Sequence, residues 1–168
     1  MRWLKQVTPW RRRKPVKIVP VLNFLAELRA VKIGVDGTRT DLGVLSNKSI
    51  TTAGAAFVVD GFQNLVELEA MNYHDSGTGA VAENVTDTAL GAAAGPARVA
   101  GTQTEPTSTQ YRTTATIAYT ATLAITEHGI FSASSAGTLL DRSVFTAVNV
   151  VNGESIQFQY TLTVATGG

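Results

Sequence analysis

Alternation of apolar and polar residues with a period of two is the feature of this sequence that most constrains its fold. Between residues 111 and 126, tyrosine and aliphatic residues occupy most odd positions, and Arg or Thr occupies most even positions. The same period recurs over residues 156–164. Successive side chains of a β-strand point to opposite faces, so this pattern predicts strands with one buried face. Because residues 111–126 would span roughly 50 Å as one strand, we expect a bulge or two strands that meet near Ala118.

Turn signals divide the rest of the chain into further short strands. Residues 134–137, Ser-Ser-Ala-Gly, predict a hairpin between strands at 130–131 and 139–145, and Asn152-Gly153 introduces the C-terminal strand. Residues 66–73 alternate and predict a half-buried strand, whereas residues 75–96 predict a loop that holds at most one helical turn. Further turn signals are Gly34, Asp36-Gly37, Gly43, Gly54 and Asp60-Gly61.

The composition supports an all-β protein. Threonine occurs 23 times and glycine 15 times, while charged residues make up 16% of the chain, below the usual value of about 25%. Branched threonine favours strands, and glycine favours turns. With seven or eight predicted strands, the sequence indicates an all-β fold: an antiparallel β-sandwich of the jelly-roll or immunoglobulin-like type, formed by residues 33–168.

Cysteine is absent, which excludes disulfides and thiolate metal sites and fits a protein made in a reducing cytoplasm. Lys17, Pro20, Asn23 and Glu27 interrupt the one stretch that was long enough to consider as a membrane span. We therefore expect no membrane association. The same charges make a signal peptide a poor interpretation.

The first 32 residues differ sharply in charge from the rest of the chain. They hold nine basic residues and one acidic residue, a net charge of +8, whereas residues 33–168 hold five basic and twelve acidic residues, a net charge of −7. Prolines and adjacent cations predict that residues 1–20 are extended, and we assign residues 1–32 to a basic N-terminal arm and residues 33–168 to the body. After Pro20, leucine and valine recur every three residues up to Val31, so we expect one short amphipathic helix, with a strand as the alternative.

Six residues of the arm are candidates for binding a partner: Trp3, Trp10, Arg11, Arg12, Arg13 and Lys14. Clustered arginine beside tryptophan can dock on an acidic protein surface, or it can neutralise phosphates and stack on bases. We expect docking on protein, for example on the acidic body of a neighbouring copy, because the body offers no second nucleic-acid feature. Contact with nucleic acid and a solvated tail are the alternatives.

Residues capable of chemistry are sparse, and we expect no catalytic residue, no cofactor and no metal site. His74 and His128 are the only histidines, and neither has an activated serine or a carboxylate pair at a recognisable spacing. Residues 77–82, Gly-Thr-Gly-Ala-Val-Ala, fit a relaxed dinucleotide fingerprint, but no helical pattern follows them, so a loop is expected. A hard-cation site is a less favoured alternative, and its ligands would be Asp60, Glu67, Glu69, His74 and Asp75.

Several motifs occur together in the C-terminal half. They are Tyr-Arg-Thr at 111–113, Ile-Thr-Glu-His-Gly-Ile-Phe at 125–131, Leu-Leu-Asp-Arg-Ser-Val-Phe at 139–145, Gly-Glu-Ser-Ile at 153–156 and Tyr-Thr-Leu at 160–162. With segments at 77–79, 89–90 and 101–103, they resemble a family of small structural proteins encoded in the morphogenesis regions of tailed bacteriophages. The resemblance covers about residues 62–168, and the basic N-terminal region does not match the family.

This resemblance implies a location in the virion and carries over no catalytic residue. We expect a non-enzymatic structural protein, made in the host bacterial cytoplasm, that assembles in multiple copies and contacts copies of itself and other virion proteins, namely major capsid or tail proteins. A capsid decoration or cement protein is the favoured interpretation. The alternatives are a tail or connector component, or a carbohydrate-binding β-sandwich of a receptor-binding protein, which would expose aromatic side chains on one face.

Overall fold

The computed structural model describes residues 22–48, 50–67 and 70–166, which form nine β-strands and one α-helix. The strands are β1 (Leu22–Ile33), β2 (Arg39–Lys48), β3 (Tyr73–Gly77), β4 (Val99–Ala100), β5 (Thr102–Thr107), β6 (Gln110–Ala118), β7 (Leu123–Phe131), β8 (Leu139–Val150) and β9 (Ser155–Thr166). The helix α1 covers Thr52–Phe62. No helix in the described part of the chain has both the length and the apolar character needed to cross a membrane.

The strands form two antiparallel sheets that pack face to face. Sheet 1 has the order β2-β1-β9-β6-β5, and sheet 2 has the order β4-β3-β7-β8. Strand β2 contacts β8 along one side of the sandwich, and β4 contacts β6 along the other. The predicted all-β sandwich is therefore confirmed.

Alternate residues of both sheets face inward and form the core, as the period of two predicts. The odd residues of β6 and the even residues of β9 are buried, while their neighbours along each strand face outward. Core residues include Ala26, Leu28 and Ala30 of β1, Ala115 and Ile117 of β6, Ile125 and Ile130 of β7, and Ile156, Phe158 and Tyr160 of β9.

The C-terminal half follows the predicted pattern closely. The alternating segment at 111–126 is divided between β6 and β7, which are separated by residues 119–122, so the expected break near Ala118 is confirmed. The hairpin at residues 134–137 joins β7 to β8, and Gly137 adopts the left-handed φ of +71° that favours glycine. Gly153, in the turn before β9, also adopts a left-handed φ, of +88°.

The prediction of a helix after Pro20 is wrong, because the strand β1 occupies that segment. Strand β1 pairs with β9 without a shift from Leu22 to Ile33, and it pairs with β2 on its other side. Its buried residues are Ala26, Leu28 and Ala30, which alternate with a period of two. Residues 22–32 therefore belong to the sandwich and not to the arm, and the arm expected at residues 1–20 lies outside the described residues.

Two further expectations for residues 50–75 are wrong. Gly54 and Asp60-Gly61 lie within α1 instead of forming turns, because Thr51 caps the helix by accepting a hydrogen bond from the Gly54 amide and anchors it by donating one to the Leu139 carbonyl. The half-buried strand expected at 66–73 is also absent from the described part of that segment. Val66 and Glu67 are exposed, and β3 begins only at Tyr73.

Candidate functional site: buried polar networks and exposed surfaces

A long loop covers the outer face of sheet 2. We call residues 78–98 the cover loop, and its backbone extends the sheet through hydrogen bonds from the Thr78 amide to the Ala92 carbonyl and from the Ala94 amide to the Ser76 carbonyl. Leu90 of the loop approaches Gly129 in the centre of β7. The loop therefore acts as a third layer over strands β3, β7 and β8.

Glu127 of β7 attaches the cover loop to the sheet. Its carboxylate accepts hydrogen bonds from the backbone amides of Gly79 at 3.0 Å, Gly91 at 2.9 Å and Ala92 at 2.7 Å. Arg142 of β8 donates to the same carboxylate from Nε at 2.8 Å. The Glu127 side chain has no solvent exposure, so all its charge is balanced inside the protein.

Arg142 extends this network to a second carboxylate. Its Nη1 forms an ion pair with Asp87 of the cover loop at 2.9 Å, and its Nη2 donates to the Val81 carbonyl at 3.2 Å. Burial alone would raise the pKa of Glu127, but the amides of Ala92 and Gly91 and the Arg142 guanidinium outweigh that effect and lower it. Glu127, Arg142 and Asp87 together form what we call the cover-loop network.

The glycines of the fingerprint-like segment 77–82 serve this network. A Cβ atom on Gly77 would collide with the Ala92 carbonyl oxygen and the Glu127 carboxylate, and one on Gly79 would collide with the same carboxylate. No helix follows the segment, so the predicted loop is confirmed. Its glycines allow a close approach to a side chain of the protein itself.

Arg98 fixes the far end of the cover loop to the β7–β8 hairpin. Its Nε pairs with Asp75 at 3.3 Å, and its Nη1 donates to the carbonyls of Ala133 at 3.0 Å and Ala136 at 2.6 Å. The guanidinium also lies 3.4 Å from the ring centroid of Phe131, a cation–π distance. Each end of the loop is thus held by an arginine.

The two histidines form a buried pair between the sheets. His74 Nδ1 lies 3.0 Å from His128 Nε2, and His74 Nε2 lies 3.1 Å from the hydroxyl of Thr113. The His128 ring packs on Phe158 at a centroid distance of 4.5 Å. Both imidazoles are completely shielded from solvent, so neither contacts a molecule outside the protein in this conformation.

The hydrogen-bond partners assign the protons of this pair. His128 Nδ1 is buried without a partner, and an unpaired lone pair is less costly there than an unpaired N–H. His128 therefore donates from Nε2 to His74 Nδ1, and His74 donates from Nε2 to Thr113. Burial lowers the pKa of His74 to about 3, and burial together with the neighbouring His74 lowers the pKa of His128 well below its usual value. Both rings are neutral at physiological pH.

A third buried polar group is Asp141 of β8. Its carboxyl accepts a hydrogen bond from the Ser143 hydroxyl at 2.9 Å. Burial raises the pKa of Asp141 to about 6, although Ser143 and the positive charge of Lys48 act in the opposite direction. Asp141 is thus a carboxyl that takes up a proton only slightly below neutral pH.

The residues considered for a cation site do not come together. Asp60 lies in α1, His74 faces the core, and Asp75 is paired with Arg98. Glu67 is exposed and Glu69 lies outside the described residues. Within the described residues there is no group of three or more side chains arranged to hold a metal ion.

An apolar ridge lies on the surface where α1 ends. Phe62 is 80% exposed and Leu65 is 68% exposed, and Val59 and Val66 flank them. We call these four residues the apolar ridge. Large apolar side chains exposed this close together in the sequence make the ridge a candidate surface for contact with another molecule.

The six arm residues proposed to bind a partner, Trp3, Trp10, Arg11, Arg12, Arg13 and Lys14, lie outside the described residues. Sequence reasoning missed the roles of Glu127, Arg142, Asp87 and Arg98. A signal for two of them was present, since Glu127 and Arg142 interrupt strongly apolar strand sequences, where a charge needs a buried partner. The partners themselves lie 15 to 55 positions away and were not recognisable.

A scan against protein-family models found no match for this chain, and a search of the curated proteins found none either.

Proposed function

We propose that this chain is a non-enzymatic structural protein of a tailed-bacteriophage virion, present in multiple copies as a capsid decoration or cement protein. The observation that carries the proposal is the distribution of its side chains. The histidines, Glu127, Asp141 and Arg142 are used for packing inside the fold, while the apolar ridge lies on the surface. A rigid body with an apolar contact surface suits assembly on a particle.

The motifs behind the phage resemblance support a structural role. Residues 125–131 and 139–145 form the facing parts of β7 and β8. Their ionisable members are Glu127, His128, Asp141 and Arg142, and each of them is buried and takes part in one of the contacts described above. The motif residues therefore hold the cover loop and the core in place, which supports a structural role for the motifs.

The two alternatives differ in how well they suit this geometry. A carbohydrate-binding sandwich needs aromatic rings on an open face, whereas Phe131, Phe158 and Tyr160 are at most 1% exposed. A tail or connector component needs only a docking surface, so it fits the same side-chain distribution. Its location is what distinguishes it from a decoration protein.

Immunogold electron microscopy of purified particles, with antibody raised against this chain, tests the proposal directly. We expect label distributed over the capsid. Label confined to the tail or neck would support the tail or connector alternative. Particles that contain no copy of the chain, measured by mass spectrometry, would contradict a structural role in the virion.

The basic arm provides a second test of how the chain joins a particle. Deletion of residues 1–20 leaves β1 intact, since that strand begins at Leu22. We expect the shortened protein to fold but to lose incorporation, and we expect the triple change of Arg11, Arg12 and Arg13 to Ala to weaken incorporation most at raised salt. The exposed Arg39→Ala change is the control for loss of a positive charge elsewhere.

Three results of that experiment have distinct meanings. Salt-sensitive incorporation that depends on the arm supports docking on protein. Binding that is lost on nuclease treatment would support the nucleic-acid alternative. Full incorporation of the shortened chain would show that the arm is a solvated tail.

A further inference from the structure

The outer face of sheet 1 contains a regular three-stranded platform. Strands β1, β9 and β6 pair without a register shift over residues 155–163 of β9. Because their inward residues alternate strictly, the residues between them face outward. We call these the platform residues: Glu27, Arg29 and Val31 of β1, Gln157, Gln159, Thr161 and Thr163 of β9, and Arg112, Thr114 and Thr116 of β6.

Two opposite charges flank the centre of the platform. Thr161 is paired with Glu27 on one side and with Arg112 on the other, so the three residues form a row across the strands. With strands about 4.8 Å apart, the two charged residues are separated by roughly 10 Å at Cα. Arg112 donates from Nε to the Thr161 hydroxyl at 3.1 Å. Neither Glu27 nor Arg112 forms an ion pair with any other described residue.

We propose that the platform is a self-complementary interface at which two copies of this chain pack face to face, so that Glu27 of each copy meets Arg112 of the other. A two-fold axis parallel to β9 and passing beside Thr161 exchanges the two sides of the row. Since β1 and β6 lie on either side of β9, a residue of β1 in one copy then lies over the residue of β6 at the same level in the other copy. Both charge pairs form at once, because Glu27 and Arg112 lie level with the same threonine.

The charge pattern also excludes the other two-fold arrangement of two facing sheets. An axis perpendicular to the strands would place Glu27 over Glu27 and Arg112 over Arg112. Like charges brought together in an interface repel each other and strongly disfavour the contact. The pattern therefore selects the parallel arrangement and, with it, the pairing of β1 in one copy over β6 in the other.

The size and composition of the face suit a stable contact. Nine paired residues extend over roughly 30 Å and the three platform strands over roughly 14 Å, which gives about 430 Å² per copy, and the flanking strands β2 and β5 widen the face to about 700 Å². A standard interface buries about 800 Å² per partner. Most platform residues are uncharged amides and hydroxyls, and Leu25 and Val44 add apolar area, at 48% and 46% exposure. The charged platform residues are Glu27, Arg29 and Arg112, and arginine is a residue that interfaces favour.

This inference rests on the proposed function, since it names a contact between the copies that such an assembly requires. The test uses the full chain and measures its mass by light scattering and sedimentation over a range of concentrations. We expect a concentration-dependent dimer. Glu27→Arg alone and Arg112→Glu alone should each weaken dimerisation by more than tenfold, because each creates two like-charge contacts.

Mixing the two single variants provides the decisive measurement. In the mixed dimer, the arginine introduced by Glu27→Arg in one chain faces the glutamate introduced by Arg112→Glu in the other. The unchanged Arg112 of the first chain faces the unchanged Glu27 of the second, so both pairs are attractive. We expect the equimolar mixture to recover the dimer. A wild-type monomer at about 100 µM, or a mixture that remains monomeric while both variants retain the wild-type circular-dichroism spectrum, would overturn the proposal.

A second measurement avoids dependence on charge reversal. The chain has no cysteine, so Gln159→Cys, at a half-buried position of β9, places a single thiol beside the proposed axis, where two copies bring their thiols together. Thr116→Cys is the matched control, because the axis places it over Val31 of the other copy. We expect a short bis-maleimide to link Gln159→Cys chains and not Thr116→Cys chains, and equal linking of both would contradict the axis.

Failure of this interface and failure of the proposed function give different results. A wild-type chain that stays monomeric in solution but is found in purified particles would refute the platform contact alone. A normal dimer whose chains are missing from particles would refute the virion role and leave the contact standing.

Discussion

The outer faces of the two sheets use polar residues in opposite ways. On sheet 2, the cover loop hides the face, and Glu127 and Arg142 are buried and paired beneath it. On sheet 1, most platform residues are partly exposed, although Thr161 at the centre is only 6% exposed, and Glu27 and Arg112 have no ion-pair partner among the described residues. Polar groups on sheet 2 therefore stabilise one chain, whereas those on sheet 1 are available to a second molecule.

The side-chain hydrogen bonds on the outer face of sheet 1 are exposed to water, whereas those beneath the cover loop are buried. On sheet 1, Arg39 donates to the Gln157 side chain at 2.7 Å, and Gln157 donates to the Thr116 hydroxyl at 3.4 Å. These groups are exposed, so water replaces each bond at little cost. Beneath the cover loop no such replacement exists, and loss of one partner leaves a buried charge. The comparison predicts a large difference in how the two faces tolerate substitution.

The largest effect is expected from replacing the buried arginine. Arg142→Leu removes the partner of Glu127 and of Asp87, so the free energy of unfolding should fall by about 3–5 kcal/mol. Urea denaturation followed by circular dichroism measures the change. The matched control is Arg112→Leu on the platform, which should change the free energy of the single chain by less than about 0.5 kcal/mol at a protein concentration too low for a dimer.

Equal effects of the two substitutions would contradict the comparison. The double variant Arg142→Leu with Glu127→Leu separates the charge effect from lost packing, since it removes both members of the buried pair. It should be no more stable than Arg142→Leu alone, because the amides of Gly79, Gly91 and Ala92 lose their acceptor and Asp87 stays unpaired.

The second largest effect is a loss of stability in mild acid. His74 and His128 remain neutral in the fold, whereas in the unfolded chain they take up protons below a pKa of about 6.5. The unfolded state then binds more protons, so stability falls as the pH drops from about 6.5 toward 3. Asp141 acts in the opposite direction between pH 6 and its unfolded value near 3.8, because its pKa is raised in the fold.

Two histidines outweigh one aspartate, so the net change between pH 7 and pH 5 should be a loss of about 2 kcal/mol. Denaturant titrations at a series of pH values measure it. His74→Gln with His128→Gln should flatten the profile, and Asp141→Asn should steepen it. A profile that is flat in the wild type would mean that the pair is not held neutral.

A smaller effect is expected at Gly77, whose lack of a side chain leaves room for the Glu127 carboxylate. Gly77→Ala introduces a methyl group against the Ala92 carbonyl and the Glu127 side chain, which are both fixed by hydrogen bonds. We expect a loss of about 1–3 kcal/mol in the free energy of unfolding. The neighbouring exposed Thr78→Ala is the control, and it should be nearly neutral. Wild-type stability of Gly77→Ala would show that the cover loop shifts freely.

The strands of the C-terminal half could be predicted because their burial is one-sided. In β9 the inward apolar residues are all large, and in β6 they alternate with Arg and Thr, so the period of two is unambiguous in both strands. In β1 the inward residues include Ala26 and Ala30, which are small and only weakly apolar. The three-residue spacing of leucine and valine is therefore the stronger signal in the sequence, and it predicts a helix. Pairing on both sides then decides the conformation, and the sequence alone does not show that pairing.

The helix and the networks depend on contacts that are distant in sequence. Helix α1 contains glycine and valine, which are poor helix formers, and it forms because Thr51 caps it and Gly54 packs on Leu140 of β8. The cover-loop network joins Asp87, Glu127 and Arg142 across three segments. Their charges were visible in the sequence, but their mutual distances follow only from the strand register.

The smallest effect is expected on the platform itself, where Thr114→Ala removes an outward hydroxyl of β6 that faces Gln159 across the strand pair. The change leaves the core untouched, so the free energy of unfolding of the isolated chain should remain within about 0.5 kcal/mol of the wild-type value. Thr113→Ala is the matched control one residue earlier. Its hydroxyl is buried and accepts the hydrogen bond from His74, so its loss should cost about 1–3 kcal/mol. If both substitutions are equally costly at low protein concentration, where a dimer does not form, the platform contributes to the fold of the single chain and the contrast between the two faces is wrong.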